Sequence, residues 1–149
     1  MTLNELYNYA EKKEIYVECQ PLSKRKALAF DDVEYQAIIL NTNILGNELE
    51  EKVTLAEEIA HLESNLVYSL QQVDSPVYKA TVRRCEFQAR HKSATILIPF
   101  DELKRAVQDD YCREIWQIAE YFQVSYQTVE DAVEYYNSMG MTIDVPEEY

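Results

Sequence analysis

The patterning of this chain changes period twice, from helical to extended and back to helical for the rest of its length. Alternating, extended patterns are confined to residues 15–40, and helical spacing governs everything else. Ile15–Cys19 reads as a strand stopped by Pro21, and Ala27–Phe30 and Glu34–Leu40 read as a hairpin joined around Asp31 and Asp32. Ahead of them, Leu3, Leu6, Tyr7 and Ala10 predict a helix over residues 3–13. Behind them, Asn41–Asn43 and Gly46 break the pattern before a helix over residues 47–68. Ser75-Pro76 starts a further helix, which runs to Leu97 and is ended by Pro99. Pro99 opens a short helix with Asp101 and Glu102 in its first turn and Lys104 and Arg105 later, as the helix dipole favours. Two more follow, Arg113–Phe122 and a Ser125-capped helix that ends near Gly140. The fold class is α+β: an N-terminal helix, a small antiparallel sheet and a mainly helical body. With 149 residues, the expectation is a core over residues 1–99 and a helical extension over residues 100–149 of the same globule.

Composition excludes several functions. Hydrophobic residues make up 47% of the chain, which suits a packed core, yet no apolar run approaches the roughly 18–20 residues of a membrane span. The N-terminal residues lack the basic start and apolar core of a signal peptide, so a cytoplasmic protein is expected. Cys19, Cys85 and Cys112 are odd in number and widely spaced, which predicts buried free thiols instead of disulfides or a thiolate metal site. A net charge of -13 disfavours nucleic acid and acidic membranes. The basic residues cluster nonetheless, at Lys24, Arg25 and Lys26 and again at Lys79, Arg83, Arg84, Arg90 and Lys92. Each cluster reads first as a solvated helix face and second as a docking patch for an acidic partner.

Chemistry concentrates in Leu55-Ala56-Glu57-Glu58-Ile59-Ala60-His61. Residues four apart share a helical face, so Glu57 and His61 project together, with Glu58 about 100° round the helix. The spacing is that of the H-E-x-x-H zinc motif with Glu in place of the first His. Leu55, Ile59, Leu62 and Leu66 form a separate apolar stripe that would hold this helix to a core. A metal centre of this kind takes a third protein ligand and keeps one position open. The following helix offers Glu86, in the run Glu86-Phe87-Gln88-Ala89-Arg90-His91-Lys92-Ser93-Ala94-Thr95-Ile96-Leu97-Ile98-Pro99.

These two motifs, in this order, resemble those of the ImmA/IrrE metallopeptidases, which occur in bacterial phages and mobile elements. The Glu, the first Ala, the apolar pair and the Pro fall at the family's spacing, whereas Lys92 and Ser93 depart from its aromatic-Ala pair. The resemblance implies a zincin-like fold and a Zn2+-dependent endopeptidase. Glu57, His61 and Glu86 would be the metal ligands, and Glu58 the general base toward metal-activated water. Its implied substrate is a cognate helix-turn-helix repressor. Glu57 makes the ligand set richer in carboxylate, hence more tolerant of manganese or magnesium. A family member without catalysis, acting as an antirepressor or adaptor, is the alternative.

Ile118–Val133 has the cadence of a DNA-binding helix-turn-helix. Its second helix carries Glu130, Asp131 and Glu134 and neither Lys nor Arg up to Asn137, the wrong sign for phosphate. It reads as a packing element behind the metal site or a platform for a protein partner. His91, five residues past Glu86, reads as a surface or packing residue, and Glu63 and Asn65 as candidates to support the ligands.

Overall fold

The structure is a computed structural model that describes residues 1–64, 75–108, 112–143 and 145. Helix α1 (Leu3–Lys12) opens with a capping box in which Thr2 and Glu5 satisfy each other's backbone amides. Strands β1 (Ile15–Gln20), β2 (Ala27–Asp31) and β3 (Gln36–Asn41) follow. The helical body comprises α2 (Glu48–Glu63), α3 (Pro76–Leu97), α4 (Phe100–Gln108), α5 (Ile115–Phe122) and α6 (Tyr126–Ser138). The α+β class, with this order of elements, is therefore the observed one. Leu66 and Asn65, and the last residues of the helix expected to reach 68, lie outside the described residues.

The sheet is mixed, not wholly antiparallel. Its strand order is β1-β3-β2; β2 pairs antiparallel with β3 as the hairpin predicts, and β1 runs parallel to β3 on the other side. Alternation reports which face of a strand is buried but says nothing of its direction. Direction is set here by the segment between β1 and β2, which carries the chain past β3. The buried Asn41 side chain pins that segment by donating to the carbonyls of Leu22 and Arg25, both at 2.8 Å. Ala37–Leu40, apolar without interruption, suits the central position that β3 takes.

Helix α2 is the hub, packed against α1, β2, β3 and α3. Asn47 caps it by accepting from the Glu50 amide, and Gly46, at φ 92°, supplies the left-handed turn that leads in. Leu55, Ala56, Ile59 and Ala60 are fully buried and Leu62 nearly so, which makes the predicted stripe the middle of the core. Tyr7 donates to Glu51 at 2.6 Å, and Tyr9 donates to Glu63, so α1 is tied to α2 at two levels. Glu63 also meets Lys13 at 3.6 Å, so its carboxylate serves the α1–α2 junction.

One apolar cluster runs from Leu6 to Ile143 and includes Leu97, Leu103, Ile118 and Val129. Lys52 crosses it: its buried ammonium donates to the carbonyls of Phe122 at 2.8 Å and Gln123 at 3.2 Å, closing the C-terminal end of α5. Among the described residues no helix is long and apolar enough to cross a membrane. The three cysteines are free, as expected, but only Cys112 is buried; Cys85 is partly so and Cys19 is exposed on β1. Beyond Ile15, β1 is an edge strand with little covering it. The cluster Lys24–Lys26 lies in the loop before β2, where Lys26 pairs with Glu50 at 2.8 Å, so it is not a helix face.

Candidate metal centre

Helices α2 and α3 meet along the segments that carry the two motifs. Helical spacing places Glu57 and His61 on one side of α2, and α3 brings Glu86 to the same opening. The result is an open pocket of about 390 Å³ lined by Glu57, His61 and Glu86, with Val82, Arg83, Phe87, Ala89 and Arg90 on the α3 wall. His61 Nε2 stands 3.5 Å from Glu86 Oε2; the imidazole is buried and the carboxylate half-exposed. Two residues 25 positions apart in sequence thus present ligand-type atoms to one volume.

Charge is crowded here. Burial, and then the nearby Glu86 carboxylate, push the Glu57 carboxyl above the usual carboxylate range. Burial, reinforced by Glu57 and Glu86, pushes Glu58 up to about 7, against the opposing pull of His61 and Arg25. Glu57 and Glu58, whose proton affinity burial and neighbouring carboxylates raise, form with Glu86 and the His61 imidazole a donor set that a divalent cation would neutralise. On that chemistry the residues fit a metal. Their oxygen-rich composition suits zinc, and manganese as well.

The tightest His/carboxylate group among the described residues lies elsewhere. Ligand atoms of His91, Asp131 and Glu134 all fall within 4.8 Å of one another, a closure that Glu57, His61 and Glu86 do not reach. His91 is buried; its Nδ1 faces the Phe87 carbonyl at 2.8 Å and its Nε2 faces Glu134 at 3.0 Å. The carbonyl can only accept, so Nδ1 carries the proton. Asp131, also buried, is held by Arg90 Nε at 2.9 Å and by Gln127 at 3.0 Å. With its carboxylate already engaged by a guanidinium, this group works as a polar staple between α3 and α6. Sequence spacing placed His91 off the Glu86 face, and it does not line the pocket. Asp131 and Glu134, three residues apart on α6, gave no sign that α3 would supply a histidine to them.

The two residues that depart from the motif pattern cause no packing defect. Ser93 is buried and its hydroxyl donates to the Arg90 carbonyl at 2.8 Å, while Lys92 is half-buried. The helix-turn-helix cadence also has a structural basis. Gln123 adopts a left-handed conformation at φ 52° after α5, and Ser125 caps α6 by accepting from the Thr128 amide at 3.1 Å. Thr128, Val129, Asp131, Ala132 and Tyr136 form the buried side of α6, which packs on α3.

A family model described as the IrrE N-terminal-like domain, a peptidase family, matches residues 10–134. No curated protein matches the chain. The match spans the sheet, both motif helices and most of α6.

Proposed function

The chain belongs to the ImmA/IrrE metallopeptidase family, and from that premise we propose that it is a zinc-dependent endopeptidase acting at the α2–α3 pocket. The observation that carries this reading is the 3.5 Å approach of His61 Nε2 to Glu86 Oε2, in a pocket shared with Glu57. His61, Glu86 and Glu57 would hold the metal. When bound, the metal supplies Lewis acidity that polarises a peptide carbonyl and makes water a stronger acid. Glu58 accepts the proton released as water attacks the carbonyl carbon, then delivers it to the departing amine nitrogen. Its neighbours Leu55, Ile59 and Leu62 anchor the helix and so fix where that carboxylate can reach. The proposed substrate is a cognate repressor protein in the cytoplasm.

Glu57 supports a second reading, an antirepressor or adaptor of the same fold without catalysis. A carboxylate in place of an imidazole leaves the ligand group more anionic, and its atoms do not close as tightly as those of the α3–α6 staple. Metal content of the purified chain, measured beside Glu58→Gln with the candidate repressor as substrate, separates the two. Zinc bound to both proteins, with cleavage only by the wild type, supports the peptidase. Repressor binding without cleavage by either supports the adaptor.

A further inference from the structure

The pocket has one wall that hydrolysis itself does not require. Helix α3 carries five Lys and Arg residues against a single acid, Glu86, in a chain whose net charge is -13. Lys79, Arg83 and Arg90 recur at spacings of four and seven, so they share a helical stripe that passes beside Glu86. Arg90 is committed: its Nε holds the buried Asp131 at 2.9 Å, and its guanidinium carbon lies 5.7 Å from the centre of the Phe87 ring. That contact steadies Phe87, which is half-exposed on the pocket wall. Arg83 stands exposed on the same wall, with the partly buried Val82 beside it.

We propose that Arg83, Val82 and Phe87 form a specificity subsite for an acidic side chain next to an apolar one, presented by an extended polypeptide segment. The proposal rests on the peptidase reading of the adjoining centre and adds a substrate class to it. Charge complementarity carries it. Once a dication balances Glu57 and Glu86, Arg83 sets the sign of the wall. A basic segment would be drawn to many places on so acidic a protein, without register. An acidic segment is repelled by most of that surface and attracted here, so the same charges attract it at one place and reject it at others. The apolar neighbour would lie against Val82 and the Phe87 ring.

The test uses the full chain carrying Glu58→Gln, loaded with zinc, so that peptides bind without being consumed. The probes are fluorescein-labelled degenerate peptides with a fixed central Asp-Leu, Asn-Leu or Lys-Leu, read by fluorescence anisotropy. The acidic pool is expected to bind about three- to tenfold tighter than the amide pool, and the preference should shrink as salt is raised. Adding Arg83→Glu, at an exposed position that tolerates either residue in a helix, should invert the order so that the Lys pool binds best. Equal binding of acid and amide pools, an order unchanged by Arg83→Glu, or no binding by any pool would overturn the proposal. Charge discrimination without any cleavage by the zinc-loaded wild type would remove the peptidase reading alone. Cleavage without charge preference would remove the acidic subsite alone.

Discussion

The Arg90 guanidinium holds the Asp131 carboxylate at 2.9 Å, joining α3 to α6 one turn beyond Glu86. Asp131 is almost wholly buried while Arg90 is about half-exposed, so the pair sits where the pocket wall meets the interior. The same helix therefore offers Glu86 to His61 and Arg90 to Asp131. Helix α6, the second of the helix-turn-helix-like pair, backs the wall that carries Glu86.

Arg90→Ala strands a buried carboxylate with Gln127 at 3.0 Å and His91 at 4.0 Å. The expected cost is about 1–3 kcal/mol, nearer the lower end because Arg90 is itself part-exposed. A lowered urea midpoint checks it. Combining Arg90→Ala with Asp131→Asn should cost less than the two single losses added together.

Glu58→Gln keeps size and shape but removes the proton acceptor. Hydrolysis should fall by about 10²- to 10⁴-fold with metal content unchanged. Single-turnover cleavage measured beside metal analysis decides this, and near-normal turnover in the variant would discard Glu58 as the base.

His61→Ala and Glu86→Ala should each reduce zinc in the purified protein to a small fraction of the wild-type content, by mass spectrometry. Glu57→His, which completes the H-E-x-x-H pattern, should tighten zinc and weaken manganese in competition, because imidazole is the softer ligand. An unchanged metal preference would place Glu57 outside the ligand set.

Lys52→Met removes the donor that closes α5. It leaves the Phe122 and Gln123 carbonyls facing an apolar side chain, at a cost of about 1–3 kcal/mol in thermal or urea unfolding. Metal binding should be unaffected, since Lys52 does not line the pocket.

Tyr136 donates to the Ile98 carbonyl at 2.8 Å, and burial, ahead of its other surroundings, pushes its hydroxyl up from the usual 10.0 to about 12. A raised folded pKa means that the unfolded chain releases this proton first. The associated stability is therefore complete below pH 10.0 and is lost as pH rises toward about 12. Tyr136→Phe should reduce the alkaline loss of stability over that window, visible in chemical denaturation at stepped pH.

Much of this molecule is legible in local pattern. The i, i+4 spacing of Glu57 and His61 puts them on one face wherever α2 packs, and the α3 bounds follow from Pro76 and Pro99, residues whose chemistry is local. Leu55, Ile59 and Leu62 declare the buried stripe for the same reason. What these patterns lack is direction and distance between elements. The parallel pairing of β1 with β3 depends on Asn41 holding a loop whose carbonyls come from residues far earlier in the chain. The burial of Lys52 depends on the end of α5, 70 residues away. The partners of Asp131 lie on α3, and His61 and Glu86 share a pocket because two helices cross there. Helical and strand periodicities are properties of consecutive residues, whereas a ligand pair, a buried ammonium and a strand's direction are fixed only when the apolar faces close on one another.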